Sequence, residues 1–473
     1  MIPQQWQSVV DHSRRPPSTS TPVVPRSPRA LRSQLPQRTS LSLLESLQAE
    51  IGQLETRKLY PRLSLYRALT EFKSNNTPRR STGDQTRDSR RTFLDSFSYL
   101  CDVKKGGGTV RAAALQSLDL SDILWLAANE GIVDSTLAYA KTILRRLQAV
   151  STQNRKQLQD TIFELAVVQC SHRVQYYKGK VQNYAKWCRI ALKHVQRDDN
   201  VQSLRRAFRK LSEPGPNMEM GEYIKLCYEM RSAGNGIYQR TKEASENEGD
   251  DFSNLAHYIW RLGATRAHAN SVVESMIAVP SLQRISEIRT LAPPTIDDKT
   301  IHPDCHSPHE ILQDIFAETN SYNPLQAKNA FMRLFELDPP RQRPIRQKVV
   351  SYQPIRTRVH AELQLADMFS RSKNMMFVDN DKYIGCSKPA CYFCYNWLYS
   401  KQYVRPATHY KIIVGCRGPD HDLNANGAII NRDMYSKIIR QIDQDIIDFL
   451  GRESTPRRHQ FMSTEASSQT TSM

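Results

Sequence analysis

No run of eighteen or more apolar residues occurs in this chain of 473 residues, which excludes a membrane-spanning helix. The first thirty residues also lack the apolar core of a secretory signal. The expectation is therefore an intracellular protein, cytoplasmic or nuclear. Cysteine is sparse: nine residues, at positions 101, 170, 188, 227, 305, 386, 391, 394 and 416. Their odd number and wide spacing argue against a disulfide scaffold, and only 386–394 forms a tight group. In an intracellular chain such a group favours a metal over a disulfide. Proline is absent from 93 to 213, so nothing there interrupts a helix. No fixed repeat period emerges, which argues against a solenoid.

Acidic residues are in deficit. Lys and Arg number 66 against 48 Asp and Glu, a net charge of +18. A basic surface attracts nucleic acid, nucleotides or acidic partners. About half of the excess lies in residues 1–92, with 16 basic against 7 acidic residues. Residues 345–452, with 16 against 10, are only mildly basic. The charge thus points to the N-terminal arm as the part that would hold single-stranded nucleic acid.

Residues 1–43 read as a disordered basic arm dominated by Pro, Ser, Thr and Arg. An organellar targeting peptide shares that composition, but seven prolines oppose the amphipathic helix it needs. Residues 44–92 read as a helix and a polar linker. The helix is expected over 41–59, with Leu43, Leu47, Ile51 and Leu54 on one face, and the linker over 74–92. Within the linker, Arg79-Arg80 and Arg90-Arg91 fit either a solvated loop or a split nuclear signal. Residues 93–340 read as a mostly α-helical region, with Leu137, Ala140, Leu144 and Leu147 at helical spacing. Pro214-Gly215-Pro216, the acidic run 246–251 and the stretch 292–307 break it. Ser307-Pro308-His309-Glu310 has the form of a capping box, and another helix is expected over 323–337. Residues 453–473 read as a disordered tail.

From 345 to 452 the pattern changes to short strands alternating with helices. Strands are expected at 349–353, 382–386 and 409–415, and helices over 359–370, from Pro389 onward, and at the end. The last has Ile438, Ile442, Ile446 and Leu450 spaced by four. The fold class is α/β, with helices layered on a sheet.

Two motifs in this part carry chemistry. His360-Ala361-Glu362 is followed, 29 residues after the glutamate, by Cys391 in Pro389-Ala390-Cys391-Tyr392-Phe393-Cys394. A Cys₂His set is a known catalytic zinc ligand type that leaves one position open for water. Cysteines at i and i+3 in the first turn of a helix bring both sulfurs to one point, and the helix N-terminus favours their thiolates. His360 opens a helix of its own. Glu362 is left over as a proton carrier, taking a proton from water and returning it to a ring nitrogen and a departing amine. An H-x-E motif followed by P-C-x-x-C is the signature of zinc nucleobase deaminases.

The stretch VHAELQL followed by YIGCSKPACYFC resembles the OTT-like deaminases, a fungal-expanded branch of the cytidine-deaminase-like superfamily. The helix-opening H-A-E and the serine-lysine before P-A-C-x-x-C are typical of that family. Thr408-His409-Tyr410-Lys411 is similar to its threonine-histidine-glycine-lysine turn, with Tyr410 in the glycine's place. The resemblance covers residues 345–450 and implies a three-layer α/β/α domain. It implies Zn2+ held by His360, Cys391 and Cys394, with Glu362 as the catalytic residue. It also implies a nucleobase-containing substrate: free, in a nucleotide, or in single-stranded nucleic acid. Proline stands one residue early, and only one of the two strands required before the first helix is visible, near Val349.

Other readings of the same residues stay open. Cys386 or Cys416 in the fourth position would close the site into a structural one, and the fold would then serve as a zinc-stabilised binding module. His302, Cys305, His306 and His309 are a second group of ligand type, though His309 belongs to the capping box. Phe393, Trp397 and Tyr399 fit a helix core better than a base-stacking surface.

Overall fold

The computed structural model describes residues 35–70, 77–195, 198–232, 234–245, 250–292, 300–303, 306–318, 323–352, 354–372, 374–419 and 425–451. Most of the basic arm, the tail 453–473 and the core of the acidic run lie outside them. No helix among the described residues is long and apolar enough to cross a membrane.

The described residues open with α1 (Leu35–Gln53), a π-helical turn (Leu54–Leu59), α2 (Tyr60–Thr70) and α3 (Gln85–Cys101). A hairpin of β1 (Arg111–Ser117) and β2 (Asp122–Ala128) follows. Then come α4 (Asp134–Gln148), α5 (Arg155–Gln169), α6 (Ser171–Ala191), α7 (Asp199–Ser212), α8 (Met220–Met230), α9 (Ile237–Glu243) and α10 (Asp251–Ala278). Strands β3 (Ile285–Thr290) and β4 (Thr300–Ile301) lead to α11 (Pro308–Glu318), α12 (Pro324–Leu337) and α13 (Pro344–Ser351). The last part holds β5 (Ile355–Arg356), β6 (Arg358–Val359), α14 (Ala361–Arg371), β7 (Met376–Phe377), β8 (Gly385–Cys386), α15 (Tyr392–Ser400), β9 (Cys416–Arg417) and α16 (Ala425–Gly451).

The main sheet runs β3-β2-β1-β7, with β8 also paired to β1. Strands β1 and β2 are antiparallel from Arg111↔Ala128 to Ser117↔Asp122, and β3 lies parallel to β2. β1 pairs antiparallel with both β7 and β8. The fold is therefore mixed α/β, and one sheet joins the long helical region to the C-terminal part. Side chains alternate across β1, as a strand requires. Ala113 and Leu115 enter a core with α3, α4, α6 and α10, while Ala112 and Ala114 enter one with α14, α15 and α16. Alanine suits a strand pressed from both faces: its small side chain lets α3 and α14 approach closely. Gly385 in β8 obeys the same constraint, since a Cβ there would lie 2.5 Å from the Leu94 backbone carbon in α3.

Several sequence expectations are corrected here. The proline-free stretch 93–213 is not purely helical, because β1 and β2 interrupt it. They supply strands ahead of α14 that were not found near Val349. Residues 344–351 are helical instead: Pro344 sits in the first turn, and Val349 packs inward with Ile345. The β-branched run 409–415 forms no ladder strand; Thr408 makes isolated bridges to Thr77 and Ala390. Helix α15 starts at Tyr392, with Cys391 as its N-cap, so Pro389 precedes the helix rather than opening it. The capping box is formed: Ser307 N donates to Glu310 Oε2 at 2.6 Å, and Glu310 N donates to Ser307 Oγ at 3.2 Å.

The expected linker over 74–92 is replaced in its second half by α3, capped by Asp84 accepting from Arg87 N. Neither a solvated loop nor an exposed signal describes Arg90 and Arg91, which are buried. Arg90 pairs with Asp379. Arg91 makes a two-pronged pair with Asp381, at 2.9 Å from Nε and 2.6 Å from Nη2, both side chains only 5% exposed. Nearby, Asp95 accepts from Tyr383 Oη at 2.8 Å and from Cys386 N at 3.2 Å. Helix α3 thus ties down the segment 379–386 that leads into the cysteine motif. Removing one member of a buried pair leaves the other charge unmatched. Arg91→Ala is expected to destabilise the chain by about 3–5 kcal/mol, read from the urea unfolding midpoint. The double variant Arg91→Ala/Asp381→Ala should lose less than the sum of the two single changes.

Candidate metal centre

His360 and Cys391 are both helix N-caps, with extended backbone at φ −72 and −73°. Each side chain therefore stands at the positive end of its helix, and Cys394 follows one turn into α15. Parallel pairing of β6 with β9 brings in a third cysteine, Cys416, the first residue of β9. His360 Nδ1 lies 3.6 Å from Cys391 Sγ and 3.3 Å from Cys394 Sγ, and Cys394 Sγ lies 3.5 Å from Cys416 Sγ. All four donor atoms fall within 4.8 Å of one another. The three cysteines are buried and His360 is half-buried at the mouth.

This donor set fits zinc. With Zn–S near 2.3 Å and Zn–N near 2.0–2.1 Å, the edges of a tetrahedron measure about 3.5–3.8 Å. The three separations of 3.3–3.6 Å come close to that, and the whole set stays within 4.8 Å. Burial pushes the Cys394 and Cys416 thiols well up. Burial also acts on Cys391, but hydrogen bonds from Cys394 and Cys416 and the charge of His360 hold it well below the ordinary thiol range. His360 is raised: burial opposes its charge, and the Cys391 thiolate outweighs burial.

Glu362 occupies the first turn of α14 and is 4% exposed. Burial raises its pKa, against the lowering effect of His360. Its Oε2 is buried with no hydrogen-bond partner. A buried carboxylate oxygen left unmatched is costly. In a cluster of metal-ligand type, it marks a place where a further group belongs.

The segment that carries these residues, 359–420, matches the family model described as OTT_1508-like deaminase. In this segment the chain is similar to the OTT-like deaminases. No curated protein matches the chain, and no solved structure does.

Within the segment that matches this family model, the turn after α15 braces the cysteine motif. Ala390 N donates to Ala407 O at 2.8 Å, Thr408 Oγ1 donates to Ala390 O at 2.8 Å, and Tyr392 N donates to Lys411 O at 3.2 Å. His409 is buried there; it accepts from Lys411 N at 2.9 Å, and burial pulls its pKa down to about 4. Tyr410 has φ of 50°, a left-handed conformation that favours glycine.

Both zinc motifs are held from far upstream. Asn129, just past β2, accepts from Ala361 N at 2.8 Å, which satisfies the opening of α14. Ser387 N donates to Arg111 O at 2.9 Å, and Arg111 N donates to Ser387 Oγ at 3.0 Å. Asn129, Arg111 and Asp102, which accepts from Ser387 Oγ at 3.2 Å, carried no sequence signal for this role.

The other sequence candidates fall elsewhere. Cys386 stays in the core outside the donor cluster. Phe393 and Trp397 are buried and stacked, at 5.6 Å, while Tyr399 lies on the surface under Arg405. His309 sits 4.7 Å from Phe331 and lines a cleft of about 670 Å³ with Leu334 and Arg346. Among the described residues, no second metal-ligand group forms; Cys305 lies outside them. Metal analysis of the purified chain is expected to show about one zinc. Cys391→Ala and Cys394→Ala should reduce it to background, whereas Cys386→Ala should leave it unchanged.

Proposed function

We propose that this chain is a zinc-dependent hydrolytic deaminase that removes the exocyclic amine of a nucleobase, free, in a nucleotide or in single-stranded nucleic acid. The unmatched, buried Oε2 of Glu362 beside the donor cluster carries this reading. His360, Cys391 and Cys394 would hold Zn2+, which when bound supplies Lewis acidity and acidifies water. Glu362 takes the proton of the attacking water as oxygen adds to the ring carbon. It returns that proton to the ring nitrogen, then passes the second one to the amine, which leaves as ammonia when the C–N bond breaks. Burial suits this role, because a carboxyl with a raised pKa exchanges protons more readily near neutral pH. The sheet with helices on both faces supports a three-layer α/β/α architecture around the site. The region 93–340 acts as its scaffold, and the basic arm adds affinity for nucleic acid.

Cys416 favours a second reading. Four protein donors make a closed, structural zinc site, and the fold then serves as a binding module. The two readings separate on two variants. If the site is catalytic, Glu362→Gln keeps about one zinc per chain and lowers kcat on nucleosides, nucleotides or single-stranded oligonucleotides by at least about 100-fold. Cys416→Ala should then keep both metal and turnover. Loss of zinc in Cys416→Ala, with no deamination by the wild type, would establish the closed site instead.

A further inference from the structure

From Leu165 to Arg197 the chain contains seven Lys or Arg and no Asp or Glu. Most of this stretch is α6. Tyr176, Lys180, Tyr184 and Trp187 are spaced by four, four and three, so they share one helix face. Their rings and cations are interleaved. Lys180 Nζ lies 5.8 Å from the Tyr176 ring and 6.0 Å from that of Tyr184. Tyr184 meets Trp187 edge-on at 5.1 Å and stacks on Tyr258 of α10 at 5.6 Å. Trp187 remains 46% exposed, with exposed Lys186 beside it and Lys193 beyond.

The strip continues to the metal centre. Lys105 stands 3.6 Å over the Tyr176 ring. It belongs to the loop Lys104-Lys105-Gly106-Gly107-Gly108, which touches Lys388 directly and reaches the His360 motif through Asn129. Gly106 O accepts from Lys388, three residues before Cys391. Gly107 O accepts from Asn129 Nδ2 at 2.7 Å, and the same Asn129 receives Ala361 N beside His360. Arg358, 42% exposed, is paired with Glu130 at 2.8 Å, so that side gains no net charge from it.

We propose that the face of α6 bearing Tyr176, Lys180, Tyr184 and Trp187, continued by Lys104 and Lys105, is a track for single-stranded nucleic acid that leads to the metal centre. The chemistry is that of a strand binder: cations follow the phosphates, and aromatic rings at the surface receive unpaired bases. A duplex keeps its bases stacked and gives Trp187 nothing to receive. Tyr176 to Trp187 spans about 16 Å of helix, enough for several nucleotides. The endpoint of the track rests on the deaminase reading; the binding itself does not.

Fluorescence anisotropy with labelled single-stranded DNA and RNA oligonucleotides, using the full chain, tests this. The triple variant Lys180→Ala/Lys186→Ala/Trp187→Ala should bind at least about tenfold more weakly. Its salt dependence of log K should shrink by about 1.4, for two lysine-phosphate contacts. Zinc content should not change, and the melting temperature should fall only slightly, since Lys186 is exposed, Trp187 is 46% exposed and Lys180 is half-buried. The charge-matched variant Lys141→Ala/Arg145→Ala on α4 should bind as the wild type does. Equal weakening by the α4 variant, or no weakening by the triple variant, overturns the track. Deamination of free nucleosides without strand binding also overturns it and leaves the deaminase reading intact. Strand binding through this face with no deamination of any substrate class upholds the track and removes the deaminase reading.

Discussion

The metal centre depends on a hairpin remote in sequence. Helix α14 begins where Asn129 accepts from Ala361 N, across 232 residues of chain. The cysteine motif is tied to β1 through Ser387 and Arg111, across 276 residues. Neither helix N-terminus would be placed by its own sequence to within the few tenths of an ångström that tetrahedral donors require. The hairpin does so because β1 is buried on both faces, and its position is set by two cores at once. Alanines in β1 and Gly385 in β8 keep those layers close enough for the hydrogen bonds to form.

Around this clamp, electrostatics concentrates on a few buried groups. Arg91 and Asp381 neutralise each other beneath the approach to the cysteines, and Asp95 receives two donors from the same segment. Glu362 differs in where it lies: it is buried with one oxygen unmatched, as are Asp367 Oδ1 and several arginine nitrogens, but it stands two residues from a member of the donor cluster. Placing such a group beside four potential metal donors costs stability, which a purely structural site has no reason to bear. Cys416 pulls the other way, because a fourth thiol can fill the position that water needs. The balance between these two residues decides whether the site is open or closed.

The helical region is more than packing for the sheet. Through the glycine-rich loop at 104–108, it touches Lys388 ahead of the cysteine motif and, through Asn129, the opening of α14 beside His360. The basic, aromatic face of α6 meets that same loop through Lys105 and Tyr176. Positive charge that composition alone would assign to the N-terminal arm is thus also concentrated on a folded surface connected to the site.

Local rules made the chemistry readable in the sequence. Helix N-caps, i to i+3 spacing and capping boxes involve neighbouring residues. His360, Cys391, Cys394, Glu362, the Ser307 box and the apolar face of α16 could therefore be found by spacing alone. Strands without local advantage could not. β1, with the sequence RAAALQS, has helix-forming residues and becomes a strand only because β2, β7 and β8 pair with it. The β-branched run after Thr408 goes the other way, since its backbone wraps the cysteine motif instead of joining a sheet. Arg90 and Arg91 looked like surface charge because their partners lie nearly 300 residues away, with separations of 289 and 290. By itself the sequence determined the donor types, the glutamate beside them and the helices that open at them. Tertiary structure alone decided that Cys416 rather than Cys386 joins the donors, and that a distant hairpin aims them. Both follow from contacts between residues far apart in the chain, which no local periodicity encodes.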